Sequence, residues 1–267
     1  MNSYYLYRKA WLSNLPPHEE KHLKEPEYKA LLRNGGLMVR NTYDFDKNNN
    51  SFWFIIKDNF KGLEELNHNT RRKIRKSLKT YNYLLINKKH ILDNGYDIIK
   101  SAFADYPVKD RNISKKWFND YFNKNEDNYH FWGCFEKENN RLAGFSFNHV
   151  WDEACEYNFM CILPECRKNA TYPYYGLLHS MNQYYLGEKK MRYVSDGARS
   201  ITQHSNIQLF LRKNFNFRKA YCKLDIHYQW WFGLIVKSLY PFRKYISLPK
   251  VKAILRQEEF FRTQNKF

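Results

Sequence analysis

Glycine, proline, cysteine and acid are all scarce in this chain. Ten Gly and eight Pro in 267 residues exclude collagen-like and linker-rich architectures and argue against a glycine-rich nucleotide loop. The five cysteines (Cys134, Cys155, Cys161, Cys166, Cys222) are odd in number and include no CxxC pair. Neither a disulfide framework nor a zinc or other metal site is therefore expected, and the thiols should be buried and neutral in a reducing, cytoplasmic setting. No stretch reaches the ~20 uncharged apolar residues of a membrane span. Polar and charged residues also interrupt MNSYYLYRKAWLSNLPPHEEKH, so no signal peptide is expected there. Against 27 acids stand 45 Lys and Arg, a formal net charge of +18. What the chain has in plenty is aromatic residues. Its 22 Tyr, 20 Phe and 7 Trp exclude intrinsic disorder and supply a sizeable core.

The hydrophobic pattern predicts an α/β protein with a mixed sheet. GLMVRNTYDFD (36–46) and SFWFIIKD (51–58) flank KNNN and predict two strands paired across a turn. From 62 to 79 the period becomes helical: Ile74, Leu78 and Tyr81 form an apolar stripe, and Arg71, Arg72, Arg75, Lys76 and Lys79 fill the rest. NYLLIN (82–87) reads as a strand, followed by helices near 93–105 and 114–124, the second with Ser114 as N-cap. YHFWGCFEK (129–137), RLAGFSFNHVW (141–151) and ACEYNFMCI (154–162) predict a three-strand meander. Simple alternation would put Cys155, Tyr157, Phe159 and Cys161 on one face of the third strand and Glu156, Asn158 and Met160 on the other. Tyr174, Leu177, Leu178, Met181 and Tyr185 then trace a helix over 173–186. MRYVSDG (191–197) is a strand, Ile207 to Phe215 a helix, FRKAYCKLDIHY (217–228) a strand, and 230–246 is helical to about Pro241.

The order after Gly62, β-α-α-β-β-β-α-β-α-β, resembles the GNAT acyltransferase superfamily. The segment Asn206…Leu211-x-Lys213-x-Phe215-x-Phe217-Arg218 is similar to the GNAT ending, an Asn and then a helix closing on K-x-GF. It is also similar to the FK-x-KFG ending of the FemAB-type peptidoglycan-bridge aminoacyltransferases. VSDG (194–197) stands where that group has a YDFGG-like strand end, and 70–79 resembles its RR-x-I-x-K helix. The resemblance implies strands 154–162 and 191–196 lying parallel and splaying into a slot for the acyl donor. It also implies a GNAT-like domain at 62–228, with 1–61 as a packed N-terminal extension and 229–267 as a C-terminal helical tail. Four positions depart from the pattern. In PECRKNATYPYYG (164–176), Arg167 takes the first place of the family's phosphate loop, but Ala170 and Tyr172 replace its glycines. Arg212 stands at the place of the general-acid tyrosine, and Asn216 at the closing glycine.

From this resemblance follow candidate roles in transferring an acyl or aminoacyl group from a thioester or ester donor, such as acyl-CoA, to an amine acceptor. Glu156 or Asp196 would be the base, His204 a proton shuttle, Arg199 and Asn206 donor-positioning groups, and Arg167 a phosphate contact. Each has a plainer reading: a cross-strand ion pair for Glu156, a turn for Asp196, a helix cap for Ser205 or Asn206. His130 and His149 are expected to pack. The cationic face Arg71, Arg72, Arg75, Lys76 and Lys79 is either a solvated surface or a seat for an anionic partner, with tRNA, an acidic acyl carrier protein and a lipid surface as candidates. The rival function is a non-catalytic GNAT-like module that binds such a partner. Segment 230–246 is expected to pack on the sheet, with a membrane interface at the inner membrane face as the alternative.

Overall fold

The computed structural model describes residues 3–47, 52–104, 113–123, 128–201 and 206–264. The elements begin with β1 (Tyr4–Tyr7), β2 (Ala10–Ser13), α1 (Glu25–Arg33), β3 (Met38–Tyr43) and β4 (Phe52–Lys57). Next come α2 (His68–Thr80), β5 (Tyr81–Ile86), α3 (Lys88–Ala104), α4 (Lys115–Asn123), β6 (Tyr129–Glu136), β7 (Leu142–Val150) and β8 (Ala154–Ile162). The chain continues through α5 (Pro164–Lys168), α6 (Pro173–Asn182), β9 (Tyr193–Ala198), α7 (Asn206–Phe215), β10 (Arg218–Tyr228), α8 (Trp230–Leu239) and α9 (Pro249–Thr263). They fall into two compact units, neither of them one continuous stretch. One holds Met1–Ile55, Ala198–Leu209 and Arg218–Phe267; the other holds Ile56–Gly197 and Phe210–Phe217.

In the second unit the strands run in the order β9-β8-β7-β6-β5. The meander β6-β7-β8 is antiparallel throughout, and β8 pairs with β9 in parallel, as the order of elements and the resemblance lead one to expect. A parallel pair needs a long crossover. Here α6 supplies it, with Leu177, Leu178, Met181 and Tyr185 all buried, and a π-helical stretch Gln183–Glu188 extends it. α3 and α4 enclose an aromatic core of Phe118, Phe122, Phe131, Phe145 and Phe147. Each such ring contributes on the order of 2–3 kcal/mol through burial. Ser114 caps α4, its Oγ accepting from Trp117 N–H at 3.1 Å. α2 begins at the cap Asn67, whose side chain accepts from Thr70 N–H at 2.9 Å, and it buries Ile74.

In the first unit the order is β1-β2-β3-β10-β4. The expected hairpin across KNNN does not form. β3 pairs antiparallel with β10, from Tyr43↔Lys223 to Met38↔Tyr228, and β10 lies between β3 and β4. Turn-forming residues permit a hairpin but do not enforce it, and here a distant strand rich in buried side chains (Ala220, Cys222, Leu224, Ile226) takes the place between them. α9 is tied to β10 by Gln264, whose side chain accepts from Leu224 N–H at 2.7 Å and donates to its carbonyl at 2.9 Å. α8 packs against β10 and α9, but through a narrow face. Of its ten residues only Gly233 and Val236 are buried, because its larger apolar side chains point outward.

Candidate active site

The parallel pairing of β8 and β9 is short. It runs from Ala154↔Tyr193 through Cys155↔Val194 to Glu156↔Ser195, although β8 continues to Ile162 and β9 to Ala198. Immediately beyond, β8 carries a bulge. Phe147 lies opposite Phe159 and Asn148 opposite Tyr157, leaving Asn158 as the extra residue. A bulge bends its strand and inverts the alternation that follows. Simple alternation therefore fails here. Tyr157 donates to Asn182 on α6 at 2.8 Å, whereas Phe159 stacks on Phe103 of α3 and Cys161 joins the α3–α4 core. The α6 side of this junction is held by a buried polar network. Trp132 Nε1–H donates to Tyr185 Oη at 3.1 Å, Asn148 Nδ2 donates to the same oxygen at 3.4 Å, and Ser146 Oγ–H donates to Asn148 Oδ1 at 2.7 Å.

Glu156 and Asp196 flank the point where the strands stop pairing. Gly197, with φ +80°, lets the chain turn close by: a Cβ there would sit 3.5 Å from Glu156 Oε1. Among the described residues neither carboxylate has a hydrogen bond or an ion pair, so the cross-strand pair with Arg or Lys is absent. Both side chains keep some solvent access, yet desolvation dominates them. Burial pushes Glu156 up to about 7. Burial, and after it repulsion from Glu156, push Asp196 up to about 8. Near neutral pH Asp196 is therefore largely protonated and Glu156 is partly ionised. That is the poise a general base requires.

The loop after β8 starts with α5, which carries Arg167 on an exposed position. Ala170 and Tyr172, the residues standing for glycines, both adopt left-handed backbone conformations, with φ +51° and +57°. That region costs an L-residue with a Cβ roughly 1–2 kcal/mol. The loop thus keeps glycine-type geometry without glycine. Ala170→Gly should relieve this strain at an exposed site. We expect a gain of about 0.5–1 kcal/mol in unfolding free energy by chemical denaturation, with no gain if the strain argument fails.

α2 turns its cations toward the same loop. Lys73 Nζ donates to Tyr175 Oη at 3.1 Å and lies over the Tyr172 and Tyr175 rings, and Lys76 also lies over Tyr172. Arg72, Arg75, Lys76 and Lys79 are exposed. Arg71 is less so: it pairs with Glu64, which also stands 3.8 Å from Arg75. An acid just before the helix therefore balances part of the run, which the count over 70–79 alone misses. The inward turn of Lys73 was likewise invisible in the sequence, since its position on the helix reads as one more solvated cation.

The remaining candidates fall elsewhere. Arg199, in the first unit, has its guanidinium 3.9 Å from the centroids of both Trp53 and Phe260, and burial lowers it to about 10. Asn206 is the exposed first residue of α7. His204 and Ser205 lie outside the described residues. His149 stacks on Tyr129 with centroids 4.6 Å apart, and burial lowers it to about 4; His130 stacks on Tyr185, also lowered by burial. Both pack as expected. All five cysteines are buried and free, with burial raising every thiol.

No protein-family model matches the sequence, and no curated protein sequence matches it. Solved structures do match. The C-terminal domain of an Agrobacterium fabrum protein described as a lysylphosphatidylglycerol synthetase superposes with TM-score 0.56 at 10% identity, over 88% of this chain and 82% of that one. L-PGS from Bacillus licheniformis gives 0.54 at 9%, over 88% and 83%. FemX gives 0.52 at 10%, over 73% and 74%. The fold is GNAT-like, similar to that of FemX and of the two synthetase structures. At these identities the likeness concerns the backbone. A shared fold does not fix what its side chains do.

Proposed function

We propose that this chain transfers an acyl or aminoacyl group from an activated thioester or ester to an amine, with the Glu156–Asp196 pair as the base. The observation that carries this reading is a pair of unpartnered, desolvated carboxylates at the point where two parallel strands stop pairing. In the reaction the amine nitrogen bonds to the donor carbonyl carbon. The bond from that carbon to the carrier's sulfur or oxygen then breaks. Ionised Glu156 takes the proton the nitrogen loses, and the carrier leaves as a thiol or hydroxyl by taking a proton in turn. Past Glu156 the β8 edge toward β9 has no strand partner among the described residues, so its backbone N–H groups are suited to hold the developing oxyanion. Asp196, raised to about 8, stays largely protonated near neutrality, so Glu156 is the group that ionises first.

The donor's handle is an anion. The glycine-type loop at 169–172 stands beside Lys73 and Lys76, and Arg72, Arg75 and Lys79 extend the positive face. Both a pyrophosphate-bearing thioester such as acyl-CoA and an aminoacyl-tRNA satisfy that charge. Incubating the full chain with each donor and a panel of amines, and reading amide product by mass, tests the reading. No transfer and no donor-induced thermal shift across the panel would leave the binding module as the better account. For tRNA, affinity should fall steeply with salt, by a slope that counts the phosphates contacted. Arg71→Ala, Arg72→Ala and Arg75→Ala together should weaken donor binding at least tenfold at low salt. The same change should cost less than about 1 kcal/mol of stability per residue, because exposed pairs contribute little. A protein that instead fails to fold would mark these cations as structural.

A further inference from the structure

Between Asp225 and Glu258 the chain has no acid: residues 226–257 hold six Lys or Arg and no Asp or Glu. Within this stretch the structure turns large apolar side chains to the outside. Trp230, Leu234 and Ile235 are exposed on α8, and Phe242, Tyr245 and Leu248 are exposed on the turns that follow, with Trp230 at 76% and Tyr245 at 87%. A helix packed on a core by one face ordinarily carries polar residues on the other. α8 is apolar on both: Gly233 and Val236 face inward, and its outward side offers one cation, Lys237, and one hydroxyl, Ser238. Contiguous exposed apolar surface of this kind marks a docking site.

The charge around it selects the occupant. Lys237 and Lys244 border the apolar residues with no ion pair among the described residues, while Arg243 is held by Glu259 at 3.0 Å. Aromatic rings beside an apolar strip, with two unpaired lysines and the adjacent acid Glu259 taken up by Arg243, match the boundary of an anionic bilayer: rings and aliphatic chains enter the headgroup level and the ammonium groups meet lipid phosphate. A protein partner of the same apolar character would gain nothing from the missing acids. No helix among the described residues is long and apolar enough to cross a membrane. The segment therefore suits lying on a surface rather than spanning one. We infer that α8 and the turns to Leu248 form a docking face for anionic phospholipid bilayers. This is independent of the transfer reaction.

Flotation of the full chain with vesicles of 70% phosphatidylcholine and 30% phosphatidylglycerol tests the inference, with pure phosphatidylcholine vesicles as reference. The chain should float with the anionic vesicles and lose most binding on the neutral ones. Trp230→Ser, Leu234→Ser and Phe242→Ser combined should cut affinity at least tenfold. Lys237→Gln with Lys244→Gln should cut it by roughly fivefold per cation. Should the apolar triple variant fail to fold, fluorescence decides with the native chain: brominated acyl chains should quench it, and Trp230→Phe should remove much of that quenching. Absence of flotation, binding unchanged in the charge variant, or loss through Arg72→Ala and Lys76→Ala instead would each overturn the inference. So would a dimer in light scattering that the triple variant dissolves, which would assign the face to a second copy of the chain.

Discussion

Glu156→Gln should abolish transfer and make the protein more stable at alkaline pH. The isosteric amide keeps the volume and removes the charge. If Glu156 takes the amine proton, the rate constant at saturating donor should fall by roughly 10²–10⁴. Stability moves the other way. The folded values of Glu156 and Asp196, about 7 and about 8, lie above the ordinary carboxylate values of 4.5 and 3.8, so the native state holds protons that the unfolded chain releases. Their contribution is complete below the ordinary values and is lost as pH rises through 7 and 8. At pH 8.5 the variant escapes that loss. It should be more stable by about 2 kcal/mol, a melting temperature higher by roughly 5 °C, with almost no difference at pH 4. Asp196→Asn should show the same stability pattern. It should leave the alkaline rise of the rate near pH 7, because burial alone raises Glu156. A variant with wild-type turnover, or one less stable at pH 8.5, would refute the assignment.

The fold class was readable because its main elements obey local rules. The β6–β8 meander reads as three apolar runs parted by short polar links, the stripe Leu177, Leu178, Met181 and Tyr185 is buried, and Ser114 sits where a cap belongs. The order of elements then led to a GNAT-like fold, and the superposition on FemX agrees. What local rules missed was non-local or conformational. β10 separating β3 from β4 depends on a strand some 170 residues downstream. The bulge at Asn158 has no glycine or proline to announce it, yet it decides which side of β8 each later residue faces. Ala170 and Tyr172 depart from the family's glycines by residue type, but the backbone takes the left-handed form regardless. Of the candidate site, Glu156 and Asp196 follow from strand position, but their lack of partners shows only when every neighbouring side chain is placed.

Gly144→Ala should be among the most damaging single-methyl changes in the second unit. Gly144 lies on β7 opposite Ile162 of β8. A Cβ there would come within 2.5 Å of the Cys161 carbonyl oxygen and 2.3 Å of Ile162 Cδ1. The Ile162 side chain can rotate away. The carbonyl cannot, because it belongs to the strand backbone, so the two strands must part or slip. A cost of about 3 kcal/mol or more follows, with a melting temperature lower by roughly 10 °C. Adding Ile162→Ala separates the two contacts, since it frees the side-chain clash and leaves the one with the carbonyl; it should restore little. β8 also carries the Asn158 bulge and Glu156 on the same strand, so a slip that starts at Gly144 reaches the carboxylate pair. Surviving Gly144→Ala protein should therefore lose turnover beyond its loss of folded fraction, and its rate profile should lose the rise near pH 7 as the burial of Glu156 relaxes. Melting within 2 °C of the parent would mean that the β7–β8 pair yields more easily than its geometry implies. The close approach of the two strands would then not be what fixes the base.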